Sequence, residues 1–241
     1  MRVVIRCDAS IEIGTGHVMR CLTLAEQLRA DGASVAFVSR EFDGHLCEII
    51  GNKQFMCFRL PKPGQQFSDQ FADEYARWLA VPWREDAEQT AASLRSETGE
   101  TGWLVVDHYG LGKDWEEFLR PQVGAIMVID DLANRPHDCD MLLDQNLHPK
   151  SETRYNGLVA GTCELLLGPN YAMLRPQFAQ VREKMLKRDG SIQRILIFMG
   201  GADPFNHTSK AVEAVLGLSD LSADVIVGRS NPNASAIIEM C

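Results

Sequence analysis

The chain has 241 residues, 45 % of them hydrophobic and 24 % charged, with 24 Lys and Arg against 33 Asp and Glu for a formal net charge of −9. This composition excludes a disordered chain, a collagen and a disulfide-stapled mini-protein, and it supplies enough apolar residues for a sizeable core. The acidic balance offers no electrostatic grip on a nucleic-acid backbone, yet a phosphorylated small molecule needs only backbone N–H groups and one or two Arg. The seven cysteines (7, 21, 47, 57, 139, 163 and 241) are odd in number and lack CxxC pairing. They read as free thiols in a reducing compartment. The opening MRVVIRCDAS has strand character without the apolar core of a signal peptide, and no stretch approaches the roughly 18 apolar residues of a membrane span. The expectation is a cytoplasmic monomer with neither a membrane nor a nucleic-acid partner.

In chain order, Val3–Ile5 is a short apolar run of the kind that forms a buried parallel strand. The loop Gly14-Thr15-Gly16 leads into a helix to about Ala30, with Val18, Cys21, Leu22, Ala25 and Leu28 on one face. A strand at Ser34–Ser39, a short helix near Gly44–Ile50 and a strand near Gln54–Leu60 follow. The stretch from Asp69 to Glu97 is expected to be helical with a break at Val81-Pro82. Strand Trp103–Val106, helix Lys113–Arg120, strand Ala125–Ile129 and the apolar runs Met141–Leu143 and Leu165–Leu167 complete a first domain, which closes with a helix from Pro176 to about Lys187. After Asp189-Gly190-Ser191 the rhythm restarts with strand Arg194–Met199, helix Thr208–Gly217, strand Asp224–Val227 and a helix from Asn233.

Alternating strands and helices predict an α/β fold built on doubly wound parallel sheets, with domains at residues 1–189 and 190–241. Roughly 50 residues of α/β chain cannot cover both faces of a parallel sheet, so the second domain is expected to be incomplete, with poorly protected amides after about Gly190. Open sheets carry their chemistry beyond the carboxyl ends of the strands, where polar clusters stand at Asp8, Asp107, Asp131 and Asn146.

The sharpest local signal is Gly14-Thr15-Gly16-His17. Its glycines permit a tight turn and let a ligand approach backbone N–H groups. Met19 stands where the dinucleotide fingerprint needs its last glycine, and no Walker ending is present. His17 opens a helix, where the dipole disfavours an imidazolium, and a neutral imidazole can take a proton from water or a hydroxyl. The competing reading is a histidine that merely caps or packs the loop. Asp8, Asp107 and Asp131 either meet a ligand's hydroxyl and N–H groups, orient His17, or cap strand ends. Arg175 suits a phosphate or carbonyl, or else a salt bridge, and Gly200-Gly201-x-Asp203 suits a diphosphate cradle. Tyr109 either stacks on a ligand or packs, and Trp78 and Trp83 read as packing residues. The remaining histidines show no metal-ligand spacing, so neither metal nor cofactor is expected.

The run Arg6-x-Asp8-x-Ser10 through Ile13-Gly14-x-Gly16-His17 to Arg20 resembles the nucleotide-sugar hydrolases of pseudaminic-acid biosynthesis. The likeness continues in Asp107-His108-Tyr109, Asp130-Asp131-Leu132, Cys139-Asp140, Tyr155-x-Gly157, Tyr171-Ala172, Met199-Gly200-Gly201-x-Asp203 and Ser230-Asn231-Pro232-Asn233. It implies a GT-B-like pair of Rossmann-like domains with a site in the cleft between them. It also implies metal-free hydrolysis of UDP-2,4-diacetamido-2,4,6-trideoxy-β-L-altropyranose to UDP and the free sugar. His17 then matches the family's general base, and Tyr109 and Asn206 match positions near the substrate. In that family the second domain continues past the position of Cys241. A GT-B glycosyltransferase and an inactive sugar-nucleotide-binding remnant are the alternative readings.

Overall fold

The computed structural model describes residues 1–64, 75–96, 99–185, 189–201, 203–218, 220–228 and 231–241. These residues fall into two compact units, Met1–Arg175 and Pro176–Cys241.

The first unit is a seven-stranded, all-parallel sheet flanked by helices, a Rossmann-like arrangement. Its strands are β1 (Arg2–Cys7), β2 (Ser34–Arg40), β3 (Met56–Leu60), β4 (Thr101–Asp107), β5 (Val123–Ile129), β6 (Met141–Asp144) and β7 (Glu164–Leu167). They lie in the order β3-β2-β1-β4-β5-β6-β7. The helices are α1 (Gly16–Ala30), α2 (Cys47–Asn52), α3 (Trp83–Arg95) and α4 (Lys113–Leu119). The polar-free centre of β1, Val3–Ile5, is explained by its position: it pairs with β2 on one side and β4 on the other, and no face is left for water.

Because successive strand residues point to opposite faces, the sheet builds two cores. Val4, Val38, Leu104, Val106, Ile126 and Leu142 pack against Ala87, Ala91 and Leu94 of α3 and Trp115 and Leu119 of α4. Val3, Ile5, Phe37, Val105, Ile129 and Leu143 pack against Val18, Cys21, Leu22 and Ala25 of α1 and Ile50 of α2. Of the helix expected between Asp69 and Glu97, residues 69–74 and 97 lie outside the described residues. The rest is a 3-10 turn at Ala76–Leu79 and then α3, separated by Ala80 in the left-handed region (φ 54°) and by Pro82. Leu79 and Val81, on either side of that break, are both buried in the core.

Strand order reverses beside β1: the chain runs outward through β2 and β3, then returns to place β4 on the other flank of β1. Loops leaving β1 and β4 therefore diverge, opening a crevice at the carboxyl ends of these two strands. Residues Asp8–Thr15 and His108–Gly112 border it.

The second unit contains α5 (Pro176–Lys184), β8 (Arg194–Ile197), α6 (His207–Leu216), β9 (Ser222–Val225) and α7 (Ala234–Met240). β8 and β9 pair in parallel, and Ile197, Val212 and Ile237 are its buried apolar residues. The end of the helix expected to reach Lys187, and Ser230, lie outside the described residues. Among the described residues no helix is long and apolar enough to cross a membrane.

Candidate functional site

His17 is the second residue of α1, on the turn that follows β1, and only 7 % of it is exposed. Its Nδ1 lies 2.6 Å from Oδ1 of Asp107, the last residue of β4. A carboxylate can only accept, so Nδ1 carries a proton, and in the neutral ring Nε2 then presents the lone pair. Asp107 is wholly buried and fixed by Arg20, whose Nε and Nη2 donate to its two oxygens at 2.6 Å each. The Cys21 thiol adds a 3.3 Å contact to Oδ2. Burial alone raises a carboxyl pKa, but the Arg20 guanidinium and the His17 ring outweigh it and hold Asp107 well below the usual carboxylate range. The arrangement is an imidazole oriented by an ionised carboxylate, located where the strand order reverses.

Arg20 stands in the sequence reading only as the end of the run that carries the resemblance, not as a site residue, although its signal is simple. It lies three residues after His17 and shares that face of α1.

Asp8 does something different from Asp107. It is fully buried, accepting from Arg6 Nη1 at 2.7 Å and from the backbone N–H of Arg40 at 2.7 Å. It thus serves the strand-end capping role rather than facing a ligand. Arg6 and Arg40 in turn both donate to Asp86. His108 Nδ1 accepts the N–H of Gly110 at 3.0 Å, so its proton sits on Nε2, 3.4 Å from Asp8 Oδ2. Burial pushes the His108 pKa down to about 4 despite the nearby Asp8 charge.

Tyr109 lies half-buried with its ring 4.7 Å from that of His17, edge to face. Its hydroxyl donates to Asp131 Oδ1, and Asn146 Nδ2 donates to Asp131 Oδ2 at 2.8 Å. Asp131 therefore stitches the loops after β4, β5 and β6 together and fixes Tyr109 beside His17. Burial and the Asp131 carboxylate raise the phenol pKa, so Tyr109 stays a neutral donor. Trp78, expected to be a packing residue, does pack: it stacks on Tyr109 at 5.6 Å. In doing so it also comes within 6.3 Å of His17. Trp83 instead packs against the core.

Gly14 has φ 78°, a conformation that penalises any side chain, and a Cβ at Gly14 or Gly16 would meet nothing within 4 Å. There is space beside both glycines, although the Gly14 N–H is taken by the Ser10 carbonyl at 2.9 Å. Arg175 is exposed and forms no ion pair among the described residues. In the second unit, Gly200 has φ 84°, and Gly228 abuts the carbonyl of Gly201 so closely that no side chain fits there. Asp203 accepts the N–H groups of His207 and Thr208 at 2.8 Å each and the Thr208 hydroxyl at 2.6 Å. It shapes the start of α6. Asn206, at φ 54°, accepts from Ser209 Oγ at 2.8 Å. Among the described residues no group of three or more His, Cys, Asp or Glu side chains is arranged to hold a metal ion.

No family model matches the chain. It is 28 % identical over 233 residues to the UDP-2,4-diacetamido-2,4,6-trideoxy-beta-L-altropyranose hydrolase of Campylobacter jejuni, covering 97 % of this chain and 72 % of that protein. It is 23 % identical to an uncharacterized protein of Methanocaldococcus jannaschii, over 95 % of this chain and 43 % of the relative. With the spore coat polysaccharide biosynthesis protein SpsG of Bacillus subtilis it shares 22 % identity, over 98 % of this chain and 62 % of the relative.

Proposed function

We propose that this chain is a nucleotide-sugar hydrolase that splits UDP-2,4-diacetamido-2,4,6-trideoxy-β-L-altropyranose into UDP and the free sugar, with His17 as general base. The observation that carries the reading is the 2.6 Å contact between His17 Nδ1 and Asp107 in the crevice beside β1. The 28 % identity to the Campylobacter enzyme supplies the substrate class.

In this mechanism Nε2 removes a proton from water as the water oxygen bonds to the anomeric carbon. The bond from that carbon to the β-phosphate oxygen breaks, and its electron pair leaves with UDP. Asp107, kept ionised by Arg20, faces the imidazolium that forms and stabilises it without taking its proton. The leaving group is already a stabilised anion, so backbone donors suffice for it. The Gly14 N–H is taken by the Ser10 carbonyl, so the N–H groups of Thr15 and Gly16 at the start of α1 suit that task in the first unit, and those of Gly200 and Gly201 suit a phosphate in the second. Asp203 repels a diphosphate and contributes by holding its loop. Tyr109, fixed by Asp131, is positioned for the sugar, and Arg175 and Asn206 are assigned to substrate contacts by the same resemblance.

The likeness to a polysaccharide biosynthesis protein favours one other reading, transfer of the sugar to an alcohol acceptor by the same base. Turnover in ¹⁸O-labelled water tests both. The hydrolase reading expects label in the free sugar and none in UDP. Label in the UDP phosphate, or UDP release only when an acceptor alcohol is added, would overturn it.

A further inference from the structure

Four aromatic side chains of this chain are tryptophans, and two of them use their indole N–H in opposite ways. Trp115 is 1 % exposed and donates its Nε1–H to Asp86 at 3.0 Å, as a buried indole must. Trp78 is half-exposed, and among the described residues its Nε1–H has no acceptor. Its ring is nonetheless fixed from several sides. It stacks on Tyr109 with an interplanar angle of 27°, meets Tyr75 edge-on at 5.1 Å, and stands edge-on to His17 at 6.3 Å. The following residues Leu79 and Val81 are anchored in the core. The carbonyl of Tyr75 lies so close to Gly110 that a Cβ there would sit 2.7 Å from it. The segment is thus seated directly on the loop that carries Tyr109.

A rigid aromatic wall with a solvent-facing donor, next to the base, is a recognition surface of defined chemistry. Its face suits C–H bonds and methyl groups, and its N–H suits a carbonyl oxygen. Anything whose reacting carbon is served by His17 Nε2 must lie beside it.

We propose that Trp78 is a specificity-determining residue that contacts the sugar and selects deoxy, N-acylated hexoses over fully hydroxylated ones. This rests on the hydrolase reading, since it takes the group next to His17 to be the sugar. A sugar with methyl groups in place of hydroxyls offers the indole face an apolar patch, and its acetamido carbonyl offers the indole N–H an acceptor. A fully hydroxylated hexose would leave hydroxyls desolvated against the ring.

The test compares wild type, Trp78→Ala and Trp78→Phe on the diacetamido-trideoxy UDP-sugar and on UDP-glucose, by UDP release and by calorimetric binding. The expected result is a loss of about tenfold in kcat/KM on the acylated sugar in Trp78→Ala, carried mainly by KM. The preference over UDP-glucose shrinks accordingly, and Trp78→Phe keeps most of it. An unchanged preference, or an equal loss on both nucleotides, overturns the proposal, because a residue that only supports Tyr109 would act on both alike. If wild type releases UDP from neither nucleotide, the hydrolase reading fails. The wall is then judged by binding alone: selectivity lost in Trp78→Ala upholds it, and selectivity unchanged or no binding overturns it.

Discussion

Asp107 holds His17 through a single oxygen, Oδ1, at 2.6 Å, while Arg20 spans both oxygens of the same carboxylate. One buried acid therefore links two neighbours on α1, and it does so from the adjacent strand-end loop. Since Asp107 fixes which ring nitrogen carries the proton, its replacement by Asn should act on tautomer choice more than on fold. An amide can turn its NH₂ toward Nδ1, leaving the proton on Nε2, where a base needs a lone pair. His17→Ala and Asp107→Asn should each lower kcat on the order of 10²–10⁴-fold with modest change in KM. UDP-release kinetics with a far-UV spectrum of each variant check this. A folded His17→Ala that keeps near-full turnover would remove His17 from the reaction.

Gly110 should tolerate no side chain. A Cβ there would approach the Tyr75 carbonyl at 2.7 Å and His108 Cε1 at 3.1 Å, and the first of these is backbone that cannot swing aside. Gly110→Ala should cost roughly 1–3 kcal/mol as overpacking and displace Tyr109 from His17. Gly51→Ala, in α2 with nothing within 4 Å, is the control and should be neutral or stabilising. Equal melting temperatures for the two variants would contradict the close approach.

Two ion pairs of identical length separate burial from proximity. Arg6 meets Asp86 at 2.7 Å with both side chains fully buried, whereas Lys62 meets Asp43 at 2.7 Å with side chains 60 % and 76 % exposed. Asp86 also receives Arg40 and the Trp115 indole, so Asp86→Asn strands the buried Arg40 guanidinium without its counter-charge and leaves Arg6 with Asp8 alone. The expected loss is about 3–5 kcal/mol. Asp43→Asn should change stability by less than about 1 kcal/mol. Urea titrations of the two variants decide it, and similar midpoints would refute the ranking.

The periodicity of the chain carried most of the fold because parallel strands buried on both faces leave an unmistakable apolar run, as at Val3–Ile5 and Leu104–Val106. Helix α1 was legible to within a residue, since a glycine loop leading into it and an apolar face within it agree. The site was legible only where chemistry is local. His17 announces itself between glycines and a helix start, whereas the partner that gives it a role is 90 residues away at the end of β4. No sequence spacing distinguishes Asp107, which orients His17, from Asp8, which caps Arg40 and pairs with Arg6. Sheet order makes that distinction by setting which strand ends face which loops. Trp78 was hidden for the same reason: its place beside Tyr109 depends on a chain segment folding back onto Gly110.

His108 should give the fold a pH dependence of its own. Its pKa of about 4 in the folded protein stands below the ordinary 6.5, because burial disfavours the charged ring more than Asp8 favours it, with Arg6 opposing the charge as well. As pH falls from 6.5 toward 4, the unfolded chain takes up a proton that the folded one refuses, so stability declines with acidification across that window and is unaffected above it. The full difference amounts to at most about 3 kcal/mol. Asp86 and Asp107, whose folded values lie below the usual carboxylate range, begin to lose their contribution only on acidification below about 4. The two windows therefore separate. His108→Asn keeps an acceptor for the Gly110 N–H, which Nδ1 now satisfies at 3.0 Å, and removes the titrating ring. Denaturation midpoints at pH 7, 6 and 5 should fall in wild type and flatten in His108→Asn. Parallel slopes in the two proteins would show that the acid sensitivity arises elsewhere.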